Sequence, residues 1–193
     1  MIMIRINKYS LIILLVLISV LVMNCGGPTT YILTRGIGHF SIELPDGYRV
    51  SMVENREDHG YTNVSIVGIK REHEEIRAAL GVLISEIDDN YPDPTSTLEK
   101  ILHMYSNWPD FQLIERSLIE VAGIQAEQLI VYVNAFHTPH PSPDDKPIPT
   151  KIRGIYFKYG NNIWNISMNT SETSYELDNV DFERILDTFR ILE

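Results

Sequence analysis

Two histidines and two aspartates share one loop of the sequence and are of the types that bind transition metals. His137 and His140 are followed by Asp144 and Asp145 within residues 137–150, which also contain five prolines. A borderline cation such as zinc accepts imidazole and carboxylate ligands together. The spacing matches no closed zinc site, however, and prolines among polar residues favour a solvated loop. We therefore predict no metal and no cofactor, and retain these four residues as a candidate ligand or interface loop.

Carboxylates are abundant, and a hydrolase could use two of them as an acid pair. Such a pair is defined by spatial separation and not by spacing along the chain, so the sequence leaves a hydrolase open as a weaker alternative. A solvated acidic surface that discourages edge-to-edge strand pairing is the simpler interpretation. The acidic residues considered are Glu72, Glu74, Glu75, Asp88, Asp89, Asp144, Asp145, Asp178 and Asp181.

Other catalytic patterns are missing from the sequence. The segment Asp88–Asp93 resembles a fragment of a calcium loop but lacks the downstream glycine and bidentate glutamate. No serine lies in a Gly-x-Ser-x-Gly elbow, and no glycine-rich loop is built to hold a phosphate. We predict that the protein is not an enzyme.

The only cysteine, Cys25, lies at the end of a segment typical of bacterial lipoprotein signals. Arg5 and Lys8 precede a mainly apolar run of thirteen residues, Leu11 to Met23. The run is shorter than the roughly 20 residues of a membrane span but fits the hydrophobic region of a signal peptide. The residues around Cys25 resemble a lipobox, although Asn24 stands where a small residue is usual. We predict a lipid on the Cys25 thiol, with an uncleaved anchor or an ordinary secreted chain as alternatives.

These features divide the chain into a signal peptide at 1–24, a lipidated cysteine with a flexible spacer at 25–37, and one domain at 38–193. Loss of the signal leaves 14 basic against 26 acidic residues, a formal charge of −12. Such a domain is repelled by nucleic acid and by anionic lipid, so we predict no nucleic-acid partner and a membrane tether that comes from the lipid. The expected location is the bacterial cell envelope, on the outer face of the cytoplasmic membrane or in the periplasm.

Most of the predicted elements are strands, because apolar residues alternate with polar ones. Phe40–Leu44 is such a strand, and Tyr48–Val53 is its return, followed by a polar loop at Asn55–Gly60. Arg77–Ile87 is apolar on both faces, which predicts a central strand covered on both sides. The remaining predicted strands are 64–69, 111–121, 124–136, 151–159 and 163–168.

Two helices interrupt the strands. Leu98, Ile101, Leu102 and Tyr105 form one apolar stripe, with Ser96 and Glu99 as a capping box before them and Pro109 after them. Phe182, Ile185, Leu186 and Phe189 form the stripe of a final helix. Strands interrupted by two helices indicate an α+β sandwich.

Aromatic residues supply a further interface candidate. Tyr156, Phe157, Tyr159 and Trp164 gather in one predicted hairpin, where core packing accounts for most of them and a ligand cleft or interface is the alternative. Trp108, beside Pro109 at a helix end, is harder to assign to the core, and we predict it as an interface residue.

The segment Phe40–Tyr48 (FSIELPDGY) resembles the opening of domains related to the photosystem protein PsbP and to the Mog-type Ran-binding proteins. Phe182–Phe189 resembles their closing helix, and the Gly123–Ala126 turn fits the same pattern. The resemblance covers residues 38–192 and implies an antiparallel sheet flanked by helices, an α/β/α sandwich. It also implies an accessory or partner-binding protein, often a bacterial lipoprotein, with no catalytic residues to transfer. No photosynthetic role follows from it.

The sequence therefore predicts a membrane-anchored, extracytoplasmic lipoprotein that acts as a non-catalytic binding or accessory module for a membrane protein complex. The alternative is a lipoprotein that binds a small molecule or a metal.

Overall fold

The computed structural model describes residues 28–33, 37–58, 61–72, 75–89, 91–135 and 146–192, with only the backbone described for 51–58, 61–67, 71–72 and 75–76. Within these ranges the chain forms ten strands and two helices, with a single 3₁₀ turn before the second helix. In chain order they are β1 Thr29–Leu33, β2 His39–Leu44, β3 Tyr48–Asp58, β4 Tyr61–Glu72, β5 Glu75–Glu86, α1 Pro94–Tyr105, β6 Gln112–Val121, β7 Ile124–Ala135, β8 Ile148–Tyr159, β9 Asn162–Ser171, α2 Tyr175–Thr188 and β10 Arg190–Leu192.

Seven strands form one sheet in the order β3-β4-β5-β9-β8-β7-β6, and every neighbouring pair is antiparallel. The two faces of this sheet carry different cores. Leu129 packs with Leu98 of α1, whereas the next residue, Ile130, belongs to the core cluster that includes Phe182 of α2. Side chains alternate across a strand, so the helices cover opposite faces. The predicted α+β class, an antiparallel sheet flanked by helices, is confirmed.

A second sheet of three strands lies on the α2 side, with β2 between β1 and β10. Strand β1 pairs with β2 from Thr29 opposite Leu44 to Leu33 opposite Phe40, and Leu33 is buried. The predicted flexible spacer at 25–37 is therefore wrong for Thr29–Leu33. Burial of the apolar Leu33 side chain stabilises the paired strand, and a solvated spacer would lack this stabilisation.

Aromatic rings fill the core between the two sheets. Phe157 stacks on Trp164 with centroids 6.0 Å apart, and Phe40 and Phe189 approach the same indole, each at 5.9 Å. A Cβ on Gly38 would lie 2.7 Å from Trp164, so only glycine lets the chain enter β2 this closely. Core packing is confirmed for Phe157 and Trp164.

Tyr156 and Tyr159 differ in their environments. Tyr156 is buried on the opposite face, under α1, while Tyr159 is exposed at the end of β8.

Helix α1 begins three residues earlier than the predicted capping box. Asp93 is the N-cap: its Oδ1 accepts from the Ser96 backbone N–H at 2.8 Å and its Oδ2 from the Ser96 hydroxyl at 2.8 Å. Pro94 occupies the first turn, where its missing N–H costs nothing. The helix ends at Tyr105, before Pro109. On α2, Phe182, Ile185 and Leu186 are buried as predicted. Phe189 is also buried, but it has an extended backbone and lies just after the helix, which ends at Thr188.

Three other predictions are wrong in extent. Strand β3 continues to Asp58, opposite Tyr61, through residues predicted to begin a polar loop at Asn55. Its backbone hydrogen bonds to β4 do not depend on the polarity of the side chains. Ile148–Thr150, predicted as loop, begins β8 opposite Val133–Ala135. The second face of β5 is not fully covered, since Leu83 is 39% exposed there.

Candidate functional site

A buried carboxylate connects α2 to three strands of the main sheet. Asp178 is 0% exposed, and its Oδ2 accepts a hydrogen bond from the Thr170 hydroxyl of β9 at 2.6 Å. Its Oδ1 lies 3.2 Å from a guanidinium nitrogen of Arg77 on β5 and 3.6 Å from Nζ of Lys70 on β4. A buried charge persists only when it is paired in this way. The interpretation of Asp178 as solvated surface is therefore wrong.

Lys70 extends this charge cluster toward solvent. Its Nζ donates to Oδ2 of Asp181 at 2.6 Å and lies 5.4 Å from the centre of the Tyr48 ring. Burial, followed by the carboxylates of Asp178 and Asp181, raises the pKa of Tyr48, because both effects disfavour a phenolate at this position.

Asp178 and Asp181 are two carboxylates that share one ammonium group, since both lie within 4 Å of Lys70 Nζ. Asp178 is also closed to substrate, because its side chain is completely buried. Through Lys70 and Arg77, the two carboxylates help to hold α2 in position.

A cavity of about 400 Å³ opens beside Lys70, between strand β2, the β2–β3 turn and the outer side of α2. Its volume falls within the range of small ligand sites. Two basic residues face four acidic ones around it, so the cavity favours a cationic group. The lining residues are Pro28, Glu43, Pro45, Asp46, Lys70, Asp181, Arg184, Asp187 and Thr188.

The cavity is built by elements distant in sequence. The β2–β3 turn needs Gly47 at φ 88°, in the left-handed region, and a hydrogen bond from Tyr48 N to Pro45 O at 3.2 Å closes the turn. Glu43 N lies 3.1 Å from the Thr188 hydroxyl, which connects β2 to the end of α2. Pro28, immediately before β1, forms part of the wall.

A second cavity, of about 360 Å³, lies on the other side of α2, and Asp187 lines both cavities. Arg153 of β8 lines this second cavity. Its guanidinium donates twice to Gln128 Oε1, at 2.6 and 2.8 Å, and also to Asn179 at 2.8 Å and Glu183 at 2.6 Å. So many bonds within the protein make Arg153 a support for α2 rather than an anion-binding group.

Trp108 is the one sequence-predicted interface residue whose position is described. It is 37% exposed, and its ring meets Tyr105 edge-on with centroids 5.3 Å apart. The adjacent Pro109 carbonyl accepts from Asn134 N at 3.0 Å, near the end of β7. Trp108 therefore lies on the α1 side of the sheet, whereas the cavity beside Lys70 lies on the α2 side, and Trp108 remains a predicted interface residue.

The other predicted site residues, Cys25, His137, His140, Asp144 and Asp145, lie outside the described residues. Within the described ranges, no group of three or more His, Cys, Asp or Glu side chains is arranged to hold a metal ion. Neither of the two described helices is long and apolar enough to cross a membrane.

Sequence reasoning missed the charge cluster, although one signal for it was present. Asp178 precedes Phe182 by four residues and therefore lies on the apolar stripe of α2, where a charge must be paired. Its partners could not be found in this way, because Lys70 and Arg77 are about a hundred residues away.

Solved structures with the same arrangement of strands and helices are similar to this chain over most of its length. LpqN of Mycobacterium tuberculosis is 14% identical with a TM-score of 0.55, and the match covers 86% of this chain and 91% of LpqN. The cyanobacterial PsbP of Synechocystis is 13% identical with a TM-score of 0.54, covering 88% and 96%. The Ran-binding protein Mog1p of Saccharomyces cerevisiae is 14% identical with a TM-score of 0.51, covering 86% and 97%.

No protein-family model and no curated protein matches the sequence. The similarity at this low identity is one of fold. The chain has a PsbP/Mog-like fold, as the resemblance of its opening strand and closing helix indicated.

Proposed function

We propose that this protein is a lipid-anchored, non-catalytic binding module of the bacterial cell envelope that docks on a membrane protein. The observation that carries the proposal is the position of the cavity beside Lys70. Its wall includes Pro28, only three residues after the predicted lipid-attachment site at Cys25.

The reach of the chain supports a cavity close to the membrane. Three residues span at most about 11 Å when fully extended. Strand β1 begins at Thr29 and is fixed to β2, so little chain separates the lipid from the folded domain. A lipid on Cys25 would keep the cavity within the reach of extracytoplasmic loops of a membrane protein.

The charge of the cavity indicates the chemistry of the partner. Exposed carboxylates of Glu43, Asp46 and Asp187 surround an opening whose basic residues are Lys70 and Arg184. Lys70 is already paired with Asp181. A lysine or arginine side chain of the partner would complement the remaining acidic groups.

The similar folds agree with a binding role in the envelope. LpqN is described as involved in cell envelope biogenesis, and Mog1p as a Ran-binding protein. The predicted signal at 1–24 directs this chain to the same kind of compartment as an envelope protein.

The test is chemical cross-linking of the full-length protein in its native membranes, followed by mass spectrometry of the cross-linked species. We expect one dominant membrane protein, and at least a tenfold loss of its cross-link in the variant Glu43→Lys/Asp187→Lys. The matched control is Asp89→Lys/Glu172→Lys, which reverses two exposed charges outside the cavity. A cross-link that survives the first variant would reject the cavity as the docking site.

The same sample tests the anchor. The N-terminal peptide should begin at Cys25 and carry a diacylglyceryl group on its thiol. An unmodified Cys25 that retains residues 1–24 would contradict the lipoprotein assignment.

Small-molecule binding is a second candidate function, favoured by the cavity volume of about 400 Å³. A lipidated protein that cross-links to no membrane protein, yet is stabilised by a cationic small molecule, would favour this alternative.

A further inference from the structure

Strand β6 is an edge of the main sheet and carries exposed apolar side chains. It pairs with β7 alone in the sheet order. Leu118 on this strand is 65% exposed, and Leu113 and Ile114 are about half exposed. An open edge with apolar side chains is a template for pairing with another strand, and soluble proteins normally protect it.

Only part of β6 is regular enough for such pairing. An irregularity between Leu113 and Glu115 interrupts the ladder with β7 near the start of the strand. From Glu115 opposite Ile130 to Val121 opposite Ile124 the ladder is continuous. These seven residues form an uninterrupted segment whose outer edge pairs with no other described strand.

The side chains of this segment complement those of a second copy in one antiparallel register. When Leu118 lies opposite Leu118 of the second copy, Arg116 falls opposite Glu120 and Glu120 opposite Arg116. All of these side chains lie on the same face of the sheet as α1, because residues two apart share a face. Arg116 already meets Glu99 of α1 at 2.6 Å and Glu127 of β7 at 3.0 Å, and would add Glu120 of the second copy to these partners. Apolar pairs and opposite charges directly across from each other stabilise neighbouring strands.

The neighbouring registers lack this match. Centring the pairing on Arg116 would set two guanidinium groups against each other. Centring it on Ser117 would pair Arg116 with Leu118, and centring it on Ile119 would pair Leu118 with Glu120. Only the register centred on Leu118 combines an apolar pair with two opposite-charge pairs.

There is room for the helices in such a dimer. Helix α1 packs on β7 and β8, and neighbouring strands are about 4.8 Å apart, so the two α1 helices would lie about 19 Å apart across the dimer axis. That exceeds the diameter of a helix with its side chains, about 10–12 Å. The paired Leu118 side chains would fill the space between them.

We infer that the protein forms a homodimer in which two β6 strands pair antiparallel about Leu118, joining the two seven-stranded sheets into one. This dimer is independent of the proposed docking on a membrane protein, because β6 does not line the cavity beside Lys70.

The first test is oxidative cross-linking of the full-length Leu118→Cys variant in native membranes. Residues directly opposite in an antiparallel pair have Cα atoms about 4.5–5.5 Å apart, within the range of a disulfide. We expect a band at twice the monomer mass, at least tenfold stronger than for Leu177→Cys, whose leucine on α2 is similarly exposed at 68%. The wild-type chain, with Cys25 as its only cysteine, controls for cross-links through that thiol.

The second test addresses the register. In the Leu118→Cys background, Glu120→Arg should reduce the dimer band at least fivefold, because arginines would then face each other. Glu120→Asp in the same background, which keeps the charge opposite to that of Arg116, should leave the band unchanged, with circular dichroism confirming that each variant is folded.

The control substitution is Glu172→Arg, an exposed charge change outside β6, which should leave the band unchanged. A Leu118→Cys band no stronger than that of Leu177→Cys, or one that Glu120→Arg leaves unchanged, would overturn the proposal.

Discussion

At the scale of single residues, two side chains hold helix α2 over the sheet by polar contacts. Asp178 meets Lys70, Arg77 and Thr170, which belong to three different strands. In the Arg153 contacts the charged group lies on the sheet instead of the helix. Its guanidinium, on β8, donates hydrogen bonds to Asn179 and Glu183 of α2. These contacts fix the orientation of α2, and with it the shape of both cavities beside the helix.

Asp178→Asn should destabilise the protein strongly while preserving its side-chain volume. The substitution leaves Arg77 and Lys70 beside a neutral group, and breaking one side of a buried ion pair costs about 3 kcal/mol. Urea unfolding followed by circular dichroism measures this difference in free energy of unfolding. Asp89→Asn, at an exposed carboxylate, is the control and should change the stability by less than about 0.5 kcal/mol. Equal stability of both variants would show that the buried cluster contributes nothing.

At the scale of elements, the start of α1 makes stability depend on pH. The hydrogen bonds from the backbone N–H and the hydroxyl of Ser96 lower the pKa of Asp93. A carboxyl group whose pKa is lowered by folding stabilises the protein above its ordinary pKa, and the contribution is lost as the pH falls through the lowered value.

Asp93→Asn should therefore reduce the loss of stability that the protein shows as the pH is lowered. Asparagine still accepts a hydrogen bond at an N-cap but does not titrate. We expect the melting temperature of the variant to fall less than that of the wild type between pH 6 and pH 3. Asp89→Asn should keep the wild-type profile. A variant that loses as much stability as the wild type over this range would exclude Asp93 as a source of the pH dependence.

The elements that could be predicted are those whose signal is local. Alternation located most strands, and the helical period located both helices and the buried face of α2. The errors occur where tertiary contacts decide. Strand β3 extends through polar residues because β4 pairs with it, and Leu83 is exposed because α1 lies over β7 and β8 and not over β5. The cavity could not be predicted, since its walls come from residues more than a hundred positions apart.

At the scale of the whole molecule, the short connection between Cys25 and the first strand would couple the proposed lipid anchor to the proposed docking cavity. Pro28 lines the cavity and Thr29 is already paired with β2. A domain attached this closely has few orientations at a membrane surface, so its effective concentration toward a membrane-protein partner is high. The negative charge of the domain opposes direct contact with anionic lipid, which supports a protein as the proposed partner of the cavity.

Lengthening this connection should weaken docking without affecting the fold or the lipid. Six Gly and Ser residues inserted between Gly27 and Pro28 add a flexible segment with an end-to-end distance of about 14 Å. We expect the cross-link to the membrane partner to fall at least fivefold, while mass spectrometry still finds the lipid on Cys25. The same six residues added after Glu193 serve as the control, and should leave the cross-link intact. If the lengthened chain cross-links as strongly as the control, docking does not depend on a cavity close to the membrane. In that outcome, the partner binds a surface whose position is independent of the anchor.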